Sequence, residues 1–154
     1  MTAERFSLDS NILVYAVDSL EGARHRLAAD LVVAAAARDC VLSLQSLSEF
    51  FHAVTRKGKL APALAAAQVR DWITVFPTVG PTDASLATAL DLVVAKRTGF
   101  WDGLLVATAQ TADCTLLLSE DMQDGVRFGK LTVRNPFKGD TLDEEIGSLI
   151  GLER

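Results

Sequence analysis

Four acidic residues stand where apolar runs break off, and carboxylates in such places can hold a cation. The first is Asp9 in "RFSLDSNILVYA" (5–16), where an apolar run ends at the acid, Ser10 and Asn11 follow, and apolar residues resume at Ile12. Asp, Ser and Asn are also preferred helix N-caps, so a strand to Leu8 and a helix from Asn11 explain Asp9 without any chemistry. The second is Glu49 in "QSLSEFFHAV", nearly opposite the Leu47, Phe51 and Val54 face. A solvated helix residue and a ligand facing a wet cleft look the same there.

Asp102 opens the stripe Leu105, Val106, Ala109 and Ala112 in "WDGLLVATAQTA". At about 100° per residue it projects between Leu105 and Val106. A carboxylate on the inward side needs a partner, although the helix dipole also favours an acid in the first turn. The fourth is Asp121 in "SEDMQDG", flanked by Ser119, Glu120 and Asp124.

Several carboxylates on one rim repel and raise one another's pKa unless a positive charge lies between them. A hard divalent ion, Mg²⁺ or Mn²⁺, is the natural counter-charge. Such ions activate water and stabilise the leaving oxygen in phosphodiester cleavage. That chemistry needs neither His nor Cys. Asn11 and Ser119 are placed to orient the acids by hydrogen bonds.

The acids meet only if the elements between them bring them to one edge. An apolar strand at 6–8 leads to a helix near 11–17, followed by a helix over 21–37. "CVLSL" (40–44) reads as a second strand, and Leu47, Phe50, Phe51 and Val54 mark a helix over 46–57 that ends at Gly58. Pro62 suits the first turn of a helix to about 75. "FPTVGPT" is loop or short strand. Thr82 or Asp83 can cap a helix over 84–97 that Gly99 ends, and another helix covers 102–112. "TLLL" (115–118) and "LTVR" (131–134) are strands. Short apolar strands alternating with helices imply an α/β domain, a central parallel sheet of four to five short strands with helices on both faces. Ligands then gather beyond the strands' carboxyl ends, where Asp9 and "SEDMQDG" lie.

The 154 residues suit one domain, and a hydrophobic content of 49% excludes disorder. No apolar stretch reaches the roughly 20 residues of a membrane span, and the N-terminus carries no evident signal peptide, so the cytoplasm is expected. Cys40 and Cys114 lack metal spacing and read as reduced, half-buried strand residues; His25 and His52 read as surface residues. Dinucleotide and nucleotide glycine loops are absent. Fifteen Lys and Arg against twenty Asp and Glu give a net charge of −5, which argues mildly against broad nucleic-acid binding. Positive charge is local, as at Arg56, Lys57 and Lys59.

The segments "LDSNILVYA", "SLSEFFHAV", "FWDGLLVATA" and "LLSEDMQDG", in that order and closed by "VRNPF", resemble the PIN-domain nucleases, and within them the VapC-type ribonuclease toxins of prokaryotic toxin–antitoxin pairs. The resemblance implies a PIN-like domain over 1–137 with an acidic tail over 138–154, docked as a helix or loose. It carries a catalytic and metal-site role to Asp9, Glu49, Asp102 and Asp121, and a supporting role to Asn11 and Ser119, with Asp124 a possible fifth member. It implies a Mg²⁺- or Mn²⁺-dependent endoribonuclease, a homodimer, and silencing by a cognate antitoxin. With an acidic net charge, RNA grip falls to clusters such as Arg56, Lys57 and Lys59.

Two rivals stay open at this point. A haloacid-dehalogenase-like phosphatase also places an Asp after its first strand, but its general acid two residues later is Asn11 here. A non-catalytic PIN scaffold acting as a binding or regulatory module would keep the fold without the reaction.

Overall fold

The structure is a computed structural model, and it describes residues 4–152. Its centre is a four-stranded sheet ordered β1 (Phe6–Leu8), β4 (Leu116–Leu118), β6 (Leu131–Arg134), β5 (Arg127–Phe128). β1, β4 and β6 run parallel, with Leu8 opposite Leu118 and Leu118 opposite Arg134; β5 is antiparallel to β6. Beyond β1 a single parallel bridge, Phe6 to Cys40, leads to β2 (Leu42–Ser43), which pairs parallel with β3 (Thr78–Val79). The expected parallel sheet is therefore present, with β5 added antiparallel at its edge.

Side-chain alternation along the strands splits the core in two. Phe6, Leu8, Leu116 and Leu118 point to one face, where they pack with residues of α1 (Ser10–Val17), α2 (Ala23–Ala35), α3 (Leu44–Arg56), α4 (Pro62–Val75) and α7 (Glu144–Leu149). Leu117 and Val133 point to the other, against Leu105, Val106 and Ala109 of α6 (Phe100–Thr111), with α5 (Asp83–Val94) packed on α6. Helices thus cover both faces. Buried on two sides, the strands read as continuous apolar runs rather than as alternation.

Several local expectations shift. Gly99 does not end α5. Lys96 takes the left-handed turn instead, with φ +58°, and Gly99 becomes the N-cap of α6. Phe51 is exposed, so the inward face of α3 is Ser46, Leu47, Phe50 and Val54. Cys40 and Cys114 are free thiols, fully rather than half buried. His25 is half-buried, its Nδ1 2.9 Å from the Tyr15 carbonyl oxygen. After β6 the chain makes a hairpin of β7 (Phe137–Lys138) and β8 (Thr141–Leu142). Asp143 then caps α7, accepting from the Ile146 amide at 3.1 Å, and Ile146 and Ile150 are completely buried in the first core cluster. Among the described residues no helix is long and apolar enough to cross a membrane.

Candidate metal centre

The site is built at the carboxyl edge of the sheet. Asp9 follows β1 directly, and its amide donates to the Leu118 carbonyl at 2.9 Å, which ties the ends of β1 and β4 together. It serves as a cap and more. Oδ1 accepts from the Ser10 amide at 2.7 Å, satisfying one of the free donors of α1, while Oδ2 accepts from Ser119 Oγ at 2.7 Å. Ser119, fully buried just past β4, also accepts from the Asp121 amide at 3.2 Å and from Asn11 Nδ2 at 3.5 Å. One donor and two acceptors are all a hydroxyl has, so Ser119 is saturated and its orientation fixed.

Asn11 and Tyr15 lie one turn apart on α1 and hold the same loop. Asn11 Oδ1 accepts from the Glu120 amide at 3.4 Å, and Tyr15 Oη donates to Glu120 Oε1 at 2.5 Å. The second Glu120 oxygen pairs with Arg24 at 2.6 Å, and the Arg24 guanidinium stacks 4.4 Å from the Phe137 ring centre. The Tyr15 hydroxyl is pushed up to about 12, first by its bond to Glu120 and then by burial.

Glu49 and Asp102 arrive on helices. Ser43 at the end of β2 caps α3, accepting from the Ser46 amide at 2.9 Å, and Glu49 follows on the exposed side of that helix. Ser10 Oγ donates to Glu49 Oε2 at 3.2 Å, so the neighbour of Asp9 reaches Glu49 directly. Asp102 sits in the first turn of α6, not at its cap. The next residue, Gly103, lets α6 approach α5 closely; a Cβ there would lie 2.6 Å from Thr98 Oγ1 and 3.5 Å from the Ala89 carbonyl.

Electrostatics join the four acids. Asp9 is 5% exposed, and burial lifts its pKa from 3.8 to about 6; its bonds to Ser119 and the Ser10 amide oppose the rise, while Glu49 and Asp102 add to it. Asp102 is exposed as a residue, yet partial desolvation of its carboxyl still raises its pKa, and repulsion from Glu49 and Asp121 raises it further. Among the described residues none of Asp9, Glu49, Asp102 and Asp121 forms an ion pair. Among the described residues no three Asp, Glu, His or Cys side chains converge into a ready-made cage. A small hard cation does not need one, since it keeps several waters and takes only one or two carboxylates. The donor set is all oxygen, acidic and short of counter-charge, and in those respects it fits Mg²⁺ or Mn²⁺.

The remaining candidates separate. Asp124 is engaged elsewhere, accepting from Arg134 Nε at 3.0 Å and from the Asn135 amide at 2.8 Å. Lys59 forms an ion pair with buried Asp18, which holds the Asp18 carboxyl below the usual carboxylate range. Arg56 and Lys57 are exposed at the end of α3, seven and eight residues past Glu49, or about 10–12 Å along a helix. Sequence reasoning overlooked Gln45. Its Nε2 donates to Glu49 Oε1 at 2.7 Å and to the Trp101 carbonyl at 2.9 Å, joining the two acid-bearing helices. The Gln45–Glu49 spacing of one turn was a readable signal for the first of those bonds.

Comparison with known proteins agrees with this architecture. The family model for the PIN domain matches residues 7–126. No curated protein sequence matches. Among solved structures, VapC20 of Mycobacterium tuberculosis, described as a sarcin-ricin-loop-cleaving toxin, has a TM-score of 0.61 at 20% identity, covering 75% of this chain and 91% of that one. VapBC2 of Rickettsia felis, bound to a DNA fragment from its promoter, gives 0.62 at 16%, covering 84% and 97%. A toxin–antitoxin complex from Klebsiella pneumoniae gives 0.61 at 18%, covering 86% and 98%. At such identities the likeness is one of fold. The family match spans most of the chain and replaces the haloacid-dehalogenase alternative: this protein belongs to the PIN-domain family.

Proposed function

We propose that this PIN domain is a divalent-metal-dependent endoribonuclease and the toxin of a prokaryotic toxin–antitoxin pair. The observation that carries the reading is the hydrogen-bond chain that gathers four acids far apart in sequence: Ser119 Oγ holds the Asp9 carboxyl and the Asp121 amide, Ser10 Oγ reaches Glu49, and Gln45 ties Glu49 to the Trp101 carbonyl beside Asp102. Asp9 and Asp102 hold the principal Mg²⁺ or Mn²⁺, and Glu49 and Asp121 complete the site. When bound, such an ion supplies activation of water and stabilisation of the leaving oxygen. The chain's own part is placement. Ser119 fixes the carboxyl of Asp9, Asn11 steadies Ser119 and the loop after it, and Gln45 with Ser10 turns the carboxyl of Glu49.

The toxin reading draws on the structural neighbours, several of which are VapBC toxin–antitoxin complexes. It brings with it a cognate antitoxin, a homodimer and a cytoplasmic setting. The test is cleavage mapping on total cellular RNA with Mg²⁺, Mn²⁺ or chelator, wild type against Asp9→Asn. Discrete metal-dependent cuts made by wild type alone support the proposal. Metal binding without any cut leaves a non-catalytic PIN module.

A further inference from the structure

A cleft of about 600 Å³ opens beside the acids, within the ~300–1,000 Å³ typical of small-ligand sites. Leu44, Pro81, Leu104 and Trp101 give it mostly apolar walls, and Gln45 and Glu49 close one side. Trp101 is 65% exposed, whereas Trp72, the other tryptophan, is 7% exposed in the core. An indole left in water forgoes a large burial gain, and its ring is preorganised here by edge-on packing against Phe100, with centroids 4.9 Å apart and planes at 77°.

The cleft is tied to the acids by one side chain. Both partners of Gln45 Nε2, the Glu49 carboxylate and the Trp101 carbonyl, are acceptors, which fixes the orientation of the amide. Trp101 also precedes Asp102. A ligand whose phosphate lies at the carboxylates therefore has an aromatic wall next to it. The charge distribution makes such a wall useful. Arg5, Arg24, Lys59 and Arg134 are paired with acids, the exposed Arg56 and Lys57 stand about 10–12 Å along α3 from Glu49, and the net charge is −5, so charge alone holds a phosphate weakly at the acidic rim itself.

We infer that the Trp101 cleft is a subsite for one unpaired RNA base, which stacks on the indole while its phosphate occupies the acidic rim. The inference rests on the ribonuclease reading and adds to it a named side chain that receives a base. Bases inside an A-form duplex cannot be splayed onto a side chain without being unpaired, whereas a loop base can.

The experiment follows the first drop in tryptophan emission on rapid mixing with an RNA hexanucleotide in Mg²⁺, before turnover, for wild type and Trp101→Phe. The expected result is quenching of wild type by the single strand, little quenching by the same sequence in a duplex, and none in Trp101→Phe, whose remaining indole is buried. In cleavage assays with metal, Trp101→Ala raises KM on the order of tenfold and leaves kcat within about threefold, as loss of one base stack would. Equal quenching of Trp101→Phe, equal quenching by duplex, or an unchanged KM in Trp101→Ala overturns the subsite while leaving the nuclease intact. Emission that responds to protein dilution and not to RNA also overturns it, because a second copy then covers the cleft. Quenching by single strand in a protein that cleaves no RNA keeps the base site and refutes the nuclease reading.

Discussion

Ser119 Oγ donates to Asp9 Oδ2 at 2.7 Å across 110 residues of chain, so the hydroxyl that follows β4 sets the carboxyl that follows β1. The bond favours the charged form and restrains the upward pull of burial on Asp9. Ser119→Ala removes it and frees the Asp121 amide as well. The variant is expected to lose about 1–2 kcal/mol of stability by chemical unfolding. Its Asp9 pKa rises further, so Mn²⁺ affinity measured near pH 6.5 falls and partly recovers by pH 8. An affinity that is low but independent of pH would show that Ser119 acts on shape alone.

Asp9 itself makes a prediction with a definite sign. Its pKa is about 6 in the fold against an ordinary 3.8, so the stability it contributes is complete below pH 3.8 and lost as the pH rises through about 6. Above that, the buried charge costs on the order of 2–3 kcal/mol in metal-free protein. Asp9→Asn has one acceptor oxygen, which can serve the Ser10 amide or the Ser119 hydroxyl but not both, a loss of about 1 kcal/mol that is smaller than the cost of the buried charge it removes. In chelator at pH 7.5 the variant is expected to melt above wild type, with the gap narrowing toward pH 4.5. With saturating Mg²⁺ the order reverses, because only wild type gains from the ion. Thermal unfolding at the two pH values reads both. A variant unfolded in all conditions would return Asp9 to capping alone.

How far the sequence reveals this site depends on whether a signal is local. The break at Asp9, the first-turn position of Asp102 and the loop after "TLLL" are visible because each lies inside one strand-to-helix or loop boundary. Lys59 reads as part of an RNA-gripping cluster and Asp124 as a possible fifth acid of the site, but their partners, Asp18 and Arg134, are 41 and 10 residues away, and no local pattern links them. Trp101 reads as one more apolar residue until α3 and α6 are seen to share Gln45. Strands of two residues, such as β5, β7 and β8, are too short to show any period. Lys96 in a left-handed turn escapes notice because glycine is the residue expected there.

The basic residues divide into two groups with different expected effects. Lys59→Ala leaves the buried Asp18 carboxylate unpaired and should lower the melting temperature with RNA affinity unchanged. Arg56→Ala and Lys57→Ala should leave stability alone, weaken RNA binding, and each reduce the salt dependence by about 0.7 in log–log slope. Filter binding across a salt series, beside thermal melts, separates the groups. A Lys59→Ala protein that melts like wild type but binds RNA less tightly would reverse the assignment.

Helix α7 is part of the core. Ile146 is 0% exposed and packs in the same cluster as Phe6 and Leu8, and the Glu4 amide donates to the Leu149 carbonyl at 2.9 Å. Ile146→Ala should cost about 2–5 kcal/mol in denaturant unfolding. A loss below 0.5 kcal/mol would mean that α7 is dispensable to the fold.

Calorimetric titration of Mn²⁺ into wild type, Asp9→Asn and Asp102→Asn, all confirmed folded, bears most directly on the four acids acting as one site. Saturable binding by wild type, weakened at least tenfold in each variant, is the outcome expected here. Identical isotherms for the three proteins, or no heat from wild type, would contradict it.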